Sequence, residues 1–127
     1  MTAEELIEAA SKVAGVFTPS EDCTVGGVAA ALVTAAGNVY TGICIDTECS
    51  LGFCAEHAAI AEMLKAHESE IRLIVAVRTD GTIVPPCGRC RELMWQVSPL
   101  NAAARVIVGN HDRTVLLSDL LPYPYPK

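Results

Sequence analysis

Residues 71–79, IRLIVAVRT, constrain the fold more than any other stretch. Apolar, largely β-branched residues run through it without the alternation of a strand that has one wet face. It therefore reads as a central strand covered on both faces, and such a sheet needs helices above and below. The rest of the chain supplies them. Residues 4–17 place Leu6, Ala9, Ala10 and Val13 at helical spacing behind Thr2 as N-cap, and TPSED then breaks the pattern. Residues 28–34 and 38–45 are short and apolar and predict an antiparallel hairpin turning at Gly37. Residues 46–53 read as a loop. A helix is expected over 54–67, with Ala58, Ile60, Ala61 and Leu64 facing the sheet, and another over 87–97. Residues 105–109 and 113–117 read as two further strands. The expectation is a single α/β domain over 1–127, a three-layer α/β/α arrangement around a mixed sheet of about five strands.

Composition narrows the functional classes. Of the 127 residues, 51% are hydrophobic but only 5% aromatic, so a base-stacking surface for single-stranded nucleic acid is disfavoured. The net charge of −6 opposes a long polyanion, so no nucleic-acid partner is expected. The N-terminal MTAEELIE carries Glu4, Glu5 and Glu8 and lacks the basic and apolar regions of a secretion signal. No apolar run reaches the length of about 18 residues that a membrane span requires. A cytoplasmic protein with no membrane partner is expected. In that compartment its six cysteines point to metal binding or catalysis rather than to disulfides.

PPCGRCRE places Cys87 and Cys90 three residues apart at the entry to a helix, where positions i and i+3 share a face. Alone, that pair also suits a redox dithiol. Cys54 opens the preceding expected helix, and successive helix N-termini in an α/β sheet lie along one edge. Three thiolates can therefore converge, and three protein ligands with one open position is the pattern of a catalytic Zn²⁺. Glu56, two residues after Cys54, is placed to move protons beside such a metal. Three thiolates outweigh one Zn²⁺ by one negative charge. Helix N-termini offset it, and Arg91, with Arg89 or His57, is expected to donate to the sulfurs. Plainer readings stand beside these. Cys23, Cys49 and Cys44 read as small core residues, and His67 and His111 as surface positions.

CAE followed by PPCGRCRE resembles the cytidine deaminase superfamily, with its signature (His or Cys)-x-Glu … Pro-Cys-x-x-Cys. VAAALVTAAGNVYTG (28–42) resembles that family's first hairpin, and LLPYPY (120–125) its C-terminal LLP segment. The chain is most similar to the tetrameric, three-cysteine branch that includes cytidine deaminase and blasticidin-S deaminase. The resemblance implies Zn²⁺ held by Cys54, Cys87 and Cys90, with Glu56 shuttling protons during hydrolytic deamination of an aminopyrimidine nucleoside or nucleoside-like substrate. It implies a homotetramer, backbone contacts near Ala55 to the base, and Tyr125, with Tyr123 nearby, reaching a neighbouring subunit's pocket. The departures concern the sugar. Cys44 and Asp46 stand where the family usually has Asn-x-Glu, Gly26 replaces an aromatic, and His57 stands where Arg is common. The alternatives are a non-catalytic, zinc-stabilised ligand-binding relative and a redox protein using Cys87 and Cys90.

Overall fold

The apolar run forms strand β4 (Ile71–Arg78), in which every residue from Leu73 to Val77 is buried. In the computed structural model, which describes residues 1–110 and 113–126, five elements precede it. They are α1 (Ala3–Val13), β1 (Phe17–Ser20), β2 (Cys23–Thr34), β3 (Val39–Thr47) and α2 (Ala55–Lys65). After it come α3 (Gly88–Val97), a 3-10 turn (Pro99–Ala103), β5 (Arg105–Ile107), β6 (Thr114–Leu116) and α4 (Leu117–Leu120). His111 lies outside the described residues.

Strand direction decides where the helices begin. β2 pairs antiparallel with both β3 and β4, so β3 and β4 run the same way, and β4 pairs parallel with β5. Both β3–α2–β4 and β4–α3–β5 are therefore crossovers between co-directional strands. Each helix starts just beyond the carboxyl end of one of these strands. β6 closes the other end, antiparallel to β5.

The sheet is covered on both faces, giving three layers. Leu6 and Ala10 of α1 pack with Ala31, Val33, Leu73, Val75 and Val77. On the opposite face, Ala55, Ala59, Ile60 and Met63 of α2 and Met94 of α3 pack with Ala30, Leu32, Ile74 and Ala76. Alternate residues of β2 thus serve opposite cores, which is the period-2 geometry of a strand. At Gly42 of β3, an added Cβ would come 2.5 Å from both the Ala58 Cβ and the Ala59 nitrogen. Only glycine lets α2 lie this close on the sheet.

The sheet has six strands. The additional one is β1, within the stretch read as a break. It is exposed along its whole length and contains Pro19, so it carries no burial signal and suits an edge. α1 stops at Val13 rather than Phe17, because Ala14 turns to extended backbone and Gly15 N–H donates to Gly26 O at 3.0 Å. β2 starts at Cys23 rather than Val28, with its register irregular between Val25 and Ala29. Thr2 caps α1 in a reciprocal pair. Its hydroxyl accepts from Glu5 N–H at 3.2 Å while Glu5 accepts from Thr2 N–H at 2.9 Å. Gly37 takes φ 91° in the hairpin turn, in the left-handed region that glycine tolerates. Among the described residues, no helix is long and apolar enough to cross a membrane.

Asn101, unnoticed in the sequence, is fully buried. Its Oδ1 accepts from Ile71 N–H at 2.8 Å, and its Nδ2 donates to Ser69 O at 3.0 Å and Met94 O at 2.9 Å. One amide thus ties the start of β4 to the end of α3. Asn101→Ala strands the Ile71 N–H and removes one bond from each of two carbonyls, and is expected to cost roughly 2 kcal/mol of unfolding free energy, read by urea titration.

Candidate active site

Cys54 is the N-cap of α2 and Cys87 the N-cap of α3, and neither side chain makes a capping hydrogen bond. A cap of Ser, Thr, Asp or Asn would stabilise each helix by about 1 kcal/mol. The thiols meet each other instead. Cys54 Sγ lies 3.4 Å from Cys87 Sγ, and Cys87 Sγ lies 3.6 Å from Cys90 Sγ. The donor atoms of Cys54, His57 and Cys90 all lie within 4.8 Å of one another. Tetrahedral Zn²⁺ with Zn–S bonds of about 2.3 Å holds its sulfurs about 3.8 Å apart. The spacing of the three sulfurs fits that geometry.

His57 joins this cluster more closely than the sequence suggested. Its Nδ1 lies 3.4 Å from Cys90 Sγ. Three positions after Cys54 on α2, it shares a helix face with that thiol. Its ring is stacked on Phe53, with centroids 6.3 Å apart and planes 15° from parallel.

Glu56 is only 4% exposed. Burial pushes its carboxyl above the usual range, against the pull of its own amide and the Cys90 thiol. Burial and then Cys87 raise the Cys54 thiol. Burial, the Glu56 carboxylate and Cys54 drive Cys90 far above an ordinary thiol. At Cys87 burial also opposes ionisation. The backbone amide of Cys90, the Cys54 and Cys90 thiols and the Arg89 amide outweigh it, so this thiol is lowered. His57 is lowered by burial and by the Arg89 charge. Two thiols and a carboxyl packed together therefore resist charging, and a divalent cation among them reverses that penalty.

The cluster opens onto a cavity of about 600 Å³, whose lining includes Cys44, Asp46, Cys54, Ala55, Glu56 and Cys87. Three sequence-derived substrate contacts, Cys44, Asp46 and Ala55, thus share one wall system with the cluster. Cys44 is buried as expected, but it faces the cavity. Its Sγ accepts from Val28 N–H at 3.3 Å and lies 3.7 Å from Asp46 Oδ2. Cys23 is half-buried and Cys49 is exposed, so neither is a core residue. His67 is exposed, as read.

Arg91 does not reach a sulfur. Its Nε donates to Pro86 O at 2.8 Å and its Nη1 to Leu120 O at 3.2 Å. One residue on from Cys90 turns about 100° around the helix, away from the thiol face. Arg91 instead holds the turn that enters Cys87 and anchors the LLP segment. Tyr125 lies outside the lining of its own chain's cavity. It is 70% exposed, and its N–H donates to Glu92 Oε1 at 2.9 Å. Phe53, Arg78 and Val84 also line the cavity and were not singled out in the sequence. Arg78 ends β4, so its place at the carboxyl edge followed from strand direction.

A family model described as the cytidine and deoxycytidylate deaminase zinc-binding region matches residues 1–109. The chain belongs to this family. It is 31% identical over 112 residues to a cytidine deaminase of Halalkalibacterium halodurans, covering 85% of this chain and 81% of that protein. A cytidine deaminase of Mycobacterium tuberculosis is 30% identical over 110 residues, covering 86% of this chain and 77% of that one. Among solved structures, the cytidine deaminase from Burkholderia pseudomallei superposes with a TM-score of 0.77 at 32% identity, over 98% of this chain and 100% of that one. A mutant cytidine deaminase from M. tuberculosis gives 0.81 at 25% identity, over 99% of each chain. Both the order of the elements and the mixed sheet therefore belong to the deaminase fold.

Arg91→Ala frees the Pro86 and Leu120 carbonyls. It is expected to lower stability by about 1–2 kcal/mol and to speed hydrogen exchange in the segment after α4, with Arg91→Lys intermediate.

Proposed function

We propose that this protein is a zinc-dependent hydrolase that deaminates an aminopyrimidine nucleoside or nucleoside-like compound, releasing ammonia. The observation that carries the reading is Glu56, a buried carboxyl held beside three converging sulfurs on the wall of a substrate-sized cavity. Family membership and relatives named cytidine deaminase support it. A structural metal site needs no buried carboxyl at its side, which weighs against a non-catalytic binding module.

Cys54, Cys87 and Cys90 would hold Zn²⁺. When bound, Zn²⁺ supplies a Lewis acid that makes water a nucleophile near neutral pH. Water adds to the amidine carbon, the bond to the exocyclic amine breaks, and the product carries a carbonyl there. Glu56 takes a proton from the water and gives it to the ring nitrogen, then takes the second proton from the added hydroxyl and passes it to the departing amine. Its raised pKa suits a group that must both accept and return a proton. Amides near Ala55 hold the base. His57 is the fourth donor atom of the cluster, and its closeness to Cys90 fits a hydrogen bond that steadies that sulfur.

Cys44 and Asp46 face the sugar end of the substrate. A thiol and a short carboxylate bond ribose hydroxyls less well than an Asn-x-Glu pair, so the sugar preference differs from that of ordinary cytidine deaminases. A screen of cytidine, deoxycytidine, cytosine and blasticidin S for ammonia release identifies the substrate. The reading includes a homotetramer whose Tyr125 serves a neighbouring subunit, tested by native mass measurement. It also includes a cytoplasmic setting, in keeping with six free cysteines.

Purified protein is expected to carry about one Zn per chain. Glu56→Ala is expected to keep the metal and to lower kcat by at least about 100-fold. Full activity in Glu56→Ala sinks the mechanism, and zinc without ammonia release from any aminopyrimidine establishes the binding module. Acidification is expected to release the metal, because protons compete for the sulfurs. Burial holds Cys54 and Cys90 above an ordinary thiol, so that competition begins at a higher pH than for exposed cysteines. Zinc content against pH reads it.

A further inference from the structure

Two arginines share the cavity with the sulfur cluster and have no part in the proton chemistry. Arg78 comes from the carboxyl end of β4 and Arg89 from the first turn of α3, yet both line the cavity. Both are exposed. Among the described residues the ion pairs are Lys12–Glu8 and Lys65–Glu62, so neither guanidinium is in one, although the Arg78 charge helps to lower the exposed Asp80 carboxyl. The whole chain has nine Lys and Arg against fifteen Asp and Glu. In so acidic a protein, two guanidiniums lining one cavity, outside any ion pair, bring positive charge beside the Asp46 and Glu56 carboxyls.

The other walls set the polarity. Val28, Phe53, Val84 and Pro85 offer apolar surface for a ring, and Asp46 is the one exposed carboxylate in the lining. A neutral nucleoside offers the two guanidiniums only neutral oxygen and nitrogen acceptors. Guanidinium forks match carboxylate and phosphate oxygens, and charge-assisted bonds of this kind are roughly twice as strong as neutral ones. The volume of about 600 Å³ leaves room for a substituent beyond base and sugar.

We propose that Arg78 and Arg89 form an anion subsite that receives a carboxylate or phosphate carried by the substrate, while its pyrimidine lies against Glu56. The proposal rests on the deaminase reading only for the choice of pyrimidine probes. Arg89 also stands between Cys87 and Cys90. A role confined to offsetting thiolate charge would make its loss appear in metal content rather than in ligand choice.

The test is calorimetric titration of the zinc-loaded full chain with uridine, uridine 5′-monophosphate and uridine 5′-carboxylate, with zinc per chain measured for every variant. At low salt, one anionic ligand is expected to bind about tenfold more tightly than uridine, with the advantage shrinking as salt rises. The tighter of the two anions identifies phosphate or carboxylate. Arg78→Ala and Arg89→Ala are each expected to weaken that ligand about threefold or more, beyond any effect on uridine, at unchanged zinc content. Arg72→Ala, on the exposed side of β4, retains the preference. The proposal is overturned if no anion outbinds uridine, if the preference survives loss of both arginines, or if Arg89→Ala only sheds zinc. Ammonia release from cytidine, deoxycytidine, cytosine, blasticidin S and cytidine 5′-monophosphate in the same preparation separates the two readings. Turnover without anion preference removes the subsite alone, whereas anion preference without any deamination removes the deaminase reading alone.

Discussion

Two helix N-termini at one sheet edge are the constraint on which the site depends. β3, β4 and β5 run in one direction, so α2 and α3 both begin beyond strand carboxyl ends. Each helix begins with cysteine as its cap residue, and neither thiol caps. A cap position points its side chain back over the first turn, where backbone amides favour negative charge. Two such positions, with Cys90 one turn further along α3, bring three sulfurs within bonding reach of one cation. The close seat of α2 on Gly42 and the anchoring of α3 through Asn101 fix the distance between them.

That arrangement also explains the electrostatics. Burial raises Cys54, Cys90 and Glu56 together, while the amides that open α3 lower Cys87. The site is thus organised around a positive charge. Arg91, adjacent in sequence, contributes nothing directly to that balance. It satisfies the Pro86 and Leu120 carbonyls and so keeps the Cys87 turn in place. The arginines that line the cavity are Arg78 and Arg89, and the Arg89 charge is also felt by His57.

Much of the core was legible because it repeats a simple period. The unbroken apolar run of β4, the spacing of Leu6 and Ala10, and the turn at Gly37 each carry a local signal that survives into the structure. β1 did not, since an exposed edge strand with Pro19 buries nothing. Asn101 did not, because one polar residue in a loop looks the same whether it is solvated or bonds three backbone groups. Among candidate site residues, the convergence of Cys54, Cys87 and Cys90 at two helix starts, with Glu56 close by, was readable from spacing and helix position. The inward turn of His57, the exposure of Cys49 and the outward turn of Arg91 depend on helix rotation against neighbouring elements.

The sequence by itself determined a double-covered sheet, three thiols and a carboxyl at helix starts, and a family signature tying them to deaminase chemistry. These are local properties of pattern and spacing, complete within a few turns of chain. Only the tertiary structure decided what surrounds them. Parallel strand direction placed Arg78 beside a cavity whose clustered thiols lie on other elements. Helix rotation swung His57 toward Cys90 and Arg91 toward backbone carbonyls. Such outcomes depend on contacts between residues far apart in sequence, and no local pattern records which face each residue will find opposite it.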